Sequence, residues 1–511
     1  MRNVVIQQID YIDEPELVFG SGQKLASPKD GLYLFGPLKN NTKAATLRIG
    51  VVGTSDGLRI FNQWLSKING VIPAKESDSP QHRIFPGFSA VFGLNLPNKS
   101  ECEIVITNQE IDQALLISDR HVAIFKTVEV FSNAIQRYLN EEETPVDLWF
   151  VVIPERIYQY GRPKSVIPAD LRLKTKNLMN KTLAKELIKE PSLFDADNEA
   201  TEPYLYEVNF HNQLKARLLE GTNRAVVQIL RETAIAPEEF VKSNGMPLRQ
   251  IQDPATVAWN LATTAYFKSG RRPWQLAQIR NQVCYVGLVF KQLMNAEEGS
   301  ACCGAQMFLD SGDGLVFKGL IGRWKSSETK EFHLDRLTAR ALLAMVLDAY
   351  KAKEGVYPSE LFLHGKTAFS SDEWDGFTDA LPENTKLIGV RIRQSNSIKL
   401  FRPGSHPVIR GTAICLTERN GFLWTKGFIP YLNTYPGRET PNPIKIDIVR
   451  GEADLLTVMK DIMALTKLNF NACIYGDGIP VTLRFADAVG EILTAGPSDR
   501  EQPPLPFKHY I

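Results

Sequence analysis

The 511-residue sequence has no CxxC pair. Its six cysteines, Cys102, Cys284, Cys302, Cys303, Cys415 and Cys473, are scattered and mostly sit in apolar runs. That pattern argues against a zinc or disulfide framework and for reduced cysteines packed in a core. No apolar stretch reaches the roughly 20 residues of a membrane-spanning helix. The opening MRNVVIQQIDYIDEPEL lacks the apolar core and small-residue cleavage site of a secretion signal, so a soluble, cytoplasmic protein is expected. Neither sign of charge is in excess: 59 Lys+Arg against 58 Asp+Glu leave a formal net charge of +1. A uniformly basic exterior is thereby excluded, and any nucleic-acid site must be a local groove. There is no complete GxGxxG or GK[ST] loop, no triad signature, no repeat and no low-complexity tract. An ordinary metabolic α/β enzyme therefore finds no support.

What is present is a long chain of ordinary globular composition, enough for two or three domains. Up to about residue 150, strand-like runs alternate with helical periodicity. Leu32 to Phe35 ends at Gly36-Pro37, Thr46 to Gly53 leads into a helix over 56–68, and Ile104 to Ile106 precedes a helix over 124–138. This order predicts an α/β layered domain with parallel strands. Gly50 and Gly53 are read as a strand-to-helix turn. Val146 to Ile153 is a buried strand that stops at Pro154. The segment YQYGRPK, 158–164, is read as a loop at the carboxyl end of that strand, where open α/β sheets bind ligands. There Arg162 and Lys164 can meet a phosphate backbone and Tyr160 can stack on a base, unless the loop is plain surface. A basic helical segment and an acidic loop, Asp195 to Glu199, fill much of 171–206.

The most informative stretch is NFHNQLKARLLEGTNRAVVQ, 209–228. Phe210, Leu214 and Leu218 recur at helical spacing, and Gly221 is a stop. His211 and Lys215 lie four apart and share a face. The run Ala225 to Leu230 then reads as a buried strand carrying Gln228. A cation beside directional donors from a neighbouring strand suits a terminal phosphate. Further on, an apolar helix over 255–264 runs into AYFKSGRRPW, in which Lys268 can close the pocket while Arg271 and Arg272 hold further phosphates. From about residue 280 the texture changes to hairpins (282–290, 305–309, 314–318). A helix over 335–353, a strand over 360–364, a helix over 372–380 and a strand over 386–393 follow. An antiparallel meander followed by parallel strands and helices is the order of a ribonuclease H-like domain. Arg391, Arg393 and Lys399 are candidate backbone contacts, or plain surface cations.

These motifs carry a family resemblance. Glu14-Pro15 with Phe19-Gly20, Gly31-Leu32 with Phe35-Gly36-Pro37, the HxxxK helix with its following Gln, and FKSGRRPW occur in the order of a short prokaryotic Argonaute. The segments LTKLNFN (465–471), PVTLRFAD (480–487) and the terminal PFKHYI agree. The sequence resembles most the Argonaute subunit of SPARTA immune systems. That resemblance implies a Rossmann-like MID domain with an N-terminal extension over 1–274 and a ribonuclease H-like PIWI domain over 275–511. It assigns the guide's 5′ phosphate to His211, Lys215, Gln228 and Lys268, with Thr264 standing where the wider family has another lysine. It also implies Mg2+ shared between that phosphate and a terminal carboxylate at Ile511, which should then be buried. The implied partners are a 5′-phosphorylated guide RNA, single-stranded target DNA and a TIR-APAZ protein that degrades NAD(P)+ in defence.

The sequence departs from slicing members of the family in PIWI. Two-metal cleavage needs several carboxylates, yet Val289 and Gly365 stand at two of the family's Asp positions and only Asp487 keeps an acid. No slicing is expected. The rival reading is a nuclease with a rearranged metal site built from Asp310, Asp313 or Asp487.

Overall fold

The computed structural model describes residues 8–38, 46–75, 82–174, 179–250, 252–278, 280–292, 300–309, 314–326, 330–497 and 502–511. In chain order the strands begin with β1 (Gln8–Tyr11), β2 (Leu17–Val18) and β3 (Lys24–Leu25). β4 (Ile49–Gly53), β5 (Cys102–Val105), β6 (Leu148–Ile153), β7 (Val227–Arg231) and β8 (Gln275–Leu276) follow. The second half supplies β9 (Val283–Gln292), β10 (Ser300–Phe308), β11 (Gly314–Arg323), β12 (Glu360–Gly365) and β13 (Lys386–Gln394). It ends with β14 (Thr412–Cys415), β15 (Asn420–Leu423), β16 (Ile444–Arg450) and β17 (Leu505–Pro506).

β4 to β7 form a parallel sheet in the order β5-β4-β6-β7. Its middle strand β6, LWFVVI, is buried at every position, as expected of a strand covered on both faces. Each fully buried aliphatic side chain there contributes about 1.5–3 kcal/mol. Gly50 and Gly53 lie within β4 itself. A Cβ on Gly50 would fall 2.7 Å from the Trp149 ring and one on Gly53 2.8 Å from Val152 O, so both glycines let β4 and β6 approach closely. The turn that follows is made by Thr54, whose side chain accepts the Gly57 N–H and starts the helix Ser55–Asn69.

The larger sheet runs β1-β14-β15-β16-β13-β12-β9-β10-β11-β17. β9, β10 and β11 form an antiparallel meander, while β12 is parallel to both β9 and β13. This is the ribonuclease H-like order expected from the sequence. The helix Arg336–Glu354 is capped by Asp335 and stopped by Gly355 in the left-handed region. β1 pairs with β14, so the first described strand belongs to this sheet.

Several local expectations need correction. Leu32 to Phe35 is the end of a helix, Pro28–Phe35, capped by Ser27 with proline in its first turn. Tyr158 to Tyr160 are helical, not loop: Pro154 opens the helix Glu155–Tyr160, and the chain turns only at Gly161. Asp195–Glu199 is a short exposed helix. The helix expected to end at Thr264 continues to Lys268, because Ala265-Tyr266-Phe267 keep the burial of its core face.

Candidate functional site

Asn209 caps the helix Phe210–Leu218, its side chain accepting the Asn212 N–H at 3.4 Å. Phe210, Leu214 and Leu218 are each 2 % exposed or less and pack against Val227 of the parallel sheet. That packing fixes the rotation of the helix and leaves His211 and Lys215 on one face. Gly221 takes a left-handed turn (φ 76°), and β7 then enters the sheet with Gln228 opposite Phe150. Lys268, the last residue of the helix Pro254–Lys268, reaches the same strand: its Nζ donates to Val227 O at 2.9 Å.

A third wall comes from the segment after β17. Pro506 and Leu505 pair with β11, and Phe507 packs edge-on to Phe308 and Phe485. Tyr510 and Ile511 are buried. Lys215 Nζ donates to Ile511 O at 3.0 Å and to Tyr510 O at 3.3 Å. Gly270 (φ 89°) ends the Lys268 helix, and a Cβ there would lie 3.3 Å from Lys508 Nζ, so a bare glycine lets this segment in. The structure therefore brings His211, Lys215, Lys268 and Ile511 together, with Gln228 next along the strand from the Val227 carbonyl that Lys268 binds. It adds Lys508 and His509, which the sequence reading had seen only as part of an aromatic and aliphatic tail.

The electrostatics are unusual. Lys215 and Lys268 are 4 % and 1 % exposed, and among the described residues neither pairs with an Asp or Glu side chain; their partners are main-chain oxygens of Tyr510, Ile511 and Val227. Burial pushes Lys215 down to about 8. Burial, then the neighbouring Lys215, pushes Lys268 well below the usual lysine range. The His211 ring is open to solvent yet closely surrounded by protein, as befits a side chain lining a cleft. Desolvation, then the two lysines, lowers its pKa to about 3, so it is a neutral donor or acceptor rather than a cation. His509 is lowered to about 4, first by burial and then by Lys508. Gln228 Oε1 is buried without a hydrogen-bond partner, while its Nε2 donates to Ile229 O at 3.4 Å. Turning the amide over places N–H donors at that buried position instead. Burying lysine away from any acidic side chain disfavours its charged form, and an anion entering beside these two would offset that cost.

No protein-family model and no curated protein matches the sequence. The solved structures do match. Clostridium butyricum Argonaute bound to a guide DNA and a 19-mer target DNA superposes with a TM-score of 0.63 at 14% identity, over 99% of this chain and 55% of that one. Drosophila Piwi follows with a TM-score of 0.58 at 12% identity, over 98% and 56% of the two chains. The Argonaute of A. aeolicus gives a TM-score of 0.52 at 12% identity, over 97% and 54% of the two chains. The fold is Argonaute-like. The chain spans about half the length of these structures.

Within that fold the positions expected to carry the PIWI acids are accounted for as follows. Val289 is buried in β9 against the helix Ala486–Leu493, where a Cβ on Gly490 would lie 3.1 Å from its Cγ1. Gly365 ends β12 beside His364, a buried imidazole held 2.9 Å from Thr482 Oγ1 and lowered to about 3 by burial. Asp487 opens onto solvent and accepts from Lys366 Nζ at 3.0 and 3.1 Å. Asp310 and Asp313 lie outside the described residues.

The remaining candidate cations are dispersed. Arg391, Arg393 and Lys445 share Asp447 at 3.0, 3.8 and 3.4 Å, three cations on one carboxylate. Lys399 donates to Thr440 O. Arg162 lies over the Tyr158 ring at 4.3 Å, a ring that Arg231 and Arg249 also approach at 4.1 Å, and Lys164 is exposed. Arg271 is buried, its Nη1 on Ser269 Oγ at 2.9 Å, and Arg272 is half-buried.

Proposed function

We propose that this chain is a short Argonaute that holds the 5′ phosphate of a guide RNA and uses the guide's bases to recognise single-stranded DNA. The observation that carries the proposal is the pair of buried lysines, Lys215 and Lys268, held by main-chain oxygens with no Asp or Glu side chain beside them among the described residues. A phosphate dianion supplies the missing charge, His211 and Gln228 give it direction, and MID and PIWI regions over 1–274 and 275–511 enclose the strand between them. Base pairing then reads sequence while Arg162, Lys164, Arg271, Arg272, Arg391 and Arg393 read the backbone.

Mg2+ belongs to the same reading, with the Ile511 oxygen, 3.0 Å from Lys215 Nζ, as the ligand that would hold it. When bound, the ion would neutralise repulsion between the guide phosphate and a terminal carboxylate at Ile511. Target pairing is relayed in the cytoplasm to a TIR-APAZ partner whose NAD(P)+ degradation is the output. That step rests on the order of motifs along the sequence. In this reading the chain does not cut, since Val289 and Gly365 offer no side-chain metal ligands and Asp487 remains as an exposed acid beside Lys366.

The deciding experiment compares 5′-phosphorylated with 5′-hydroxyl RNA of one sequence on wild-type protein and Lys215→Ala. Wild type should prefer the phosphorylated strand by at least about tenfold, or about 1.4 kcal/mol, and the variant should lose that preference. An unchanged preference removes the pocket from the account. Guide- and target-loaded protein incubated with Mg2+ or Mn2+ tests the nuclease reading: a product that disappears in Asp487→Ala would establish it.

A further inference from the structure

The outer edge of the parallel sheet carries a second site, independent of the guide pocket. β5 is the edge strand, with β4 as its neighbour among the described residues. Ile106 N donates to Gly53 O at 2.8 Å. Strand alternation therefore turns Ile104 toward β4 and the backbone N–H and C=O of Glu103 and Val105 outward. Edge strands are commonly guarded by lysine, proline or a bulge. This one is CEIV, paired without register shift, and Val105 is 56 % exposed.

A groove of about 720 Å3 opens beside that edge. Ile104 and Val105 form one wall, Ala114 and Ile117 a second, and Val130 and Tyr138 of the helix Arg120–Glu141 a third. Its charges are not balanced: four carboxylates line it against the two cations Lys126 and Arg137. Glu129 is already paired with Lys126 at 2.8 Å. Glu141 and Glu142 occupy the last turn of their helix, where the carbonyl end of the helix adds further negative potential.

We propose that β5 is a docking edge for an extended, lysine- or arginine-bearing segment of a partner polypeptide, taken up as a fifth strand. Its alternate apolar side chains would enter the groove, and a basic side chain would meet Glu141 and Glu142. A second copy of this chain fits poorly, since its own β5 brings Glu103 and no cation to an acidic groove. Nucleic acid is repelled by the same carboxylates.

The test uses the full chain and a fluorescein-labelled peptide of alternating lysine and valine, read by anisotropy and by amide hydrogen exchange. Binding should slow exchange at the Glu103 and Val105 amides, the two that face outward. Val105→Pro, which removes an outward N–H while leaving the β4 ladder, should weaken binding by at least about tenfold. A Glu141→Lys/Glu142→Lys variant, changed only at an exposed helix end, should weaken it several-fold and stands in should the proline variant fail to fold. An alternating glutamate–valine peptide should bind at least about tenfold more weakly. Equal binding of the acidic peptide, no protection at those two amides, or full binding by both variants would overturn the proposal. So would a concentration-dependent dimer that Val105→Pro abolishes, which would make the edge a self-pairing surface.

Discussion

Among the described residues, lysine is buried in two places, and they treat it differently. Lys467 has no exposed side-chain surface, but Glu14 stands 2.5 Å from it, Arg410 binds the same carboxylate at 2.9 Å, and the Tyr475 ring lies 3.7 Å away. Arg410 further donates to Thr425 O and to Thr466 Oγ1. Every charge in that cluster has an opposite or a hydrogen-bonding neighbour, and the result ties residue 14 to the sheet nearly four hundred residues later. Lys215 and Lys268 are buried as deeply, yet among the described residues they bond to main-chain oxygens and to no Asp or Glu side chain. Burial lowers all three lysines, Lys467 to about 7 and Lys215 to about 8. Depth alone therefore does not separate the two pairs. The acidic side chain of Glu14 does, and under the proposed function its absence at Lys215 and Lys268 leaves room for a ligand's charge.

The contrast can be broken most forcefully at Glu14. Glu14→Gln leaves Arg410 and Lys467 without their anion and should cost about 3–5 kcal/mol, read as a lowered midpoint in chemical denaturation. Burial raises the Glu14 pKa, but Arg410 and Lys467 outweigh it and the net shift is downward. Its contribution is thus complete above the ordinary glutamate value and is lost as pH falls through the lower folded value. At the other lysine pair the effect should appear in binding instead. Lys268→Met should reduce preference for a 5′ phosphate by about 10- to 100-fold, or about 1.4–2.8 kcal/mol, while the thermal midpoint of the empty protein holds or rises. The sign follows from the lowered pKa: a folded state that disfavours the ammonium is penalised at neutral pH, and methionine removes the penalty.

A smaller, few-fold effect is expected from pH. Lys215 loses its proton above about 8 in the empty pocket, and the phosphate regains its second proton below about pH 6. The ratio of 5′-phosphate to 5′-hydroxyl affinity should therefore peak between those limits, and Lys215→Arg should flatten the alkaline side. The smallest effect belongs to Asp487→Asn. Its pair with Lys366 is solvent-exposed, so stability should move by no more than about 0.5 kcal/mol in a thermal melt.

The lysine pocket was half legible in the sequence, and the glutamate cluster not at all. His211 and Lys215 share a helix and Gln228 lies on the strand after it, so periodicity and a glycine stop are enough to place them on neighbouring elements. Lys268 was found by its neighbours, but its position was not: Ala265-Tyr266-Phe267 resembles the start of a loop until tertiary burial keeps it helical. Lys508 enters because Gly270 has no side chain, a contact that depends on two residues far apart. Glu14, Arg410 and Lys467 share no local pattern. Each looks like an ordinary surface charge until the sheet is assembled. The same holds for β1, whose four residues carry no sign that their partner is β14.

That pairing has a consequence for biosynthesis. At a ribosome adding about 5–20 residues per second, Gln8–Tyr11 is made roughly 20–80 seconds before Thr412–Cys415, the strand it must join. For that interval the newborn chain carries a strand without its ladder and a glutamate without its cations. The large sheet can close on this side only once Thr412–Cys415 has been made, some four hundred residues after Gln8–Tyr11.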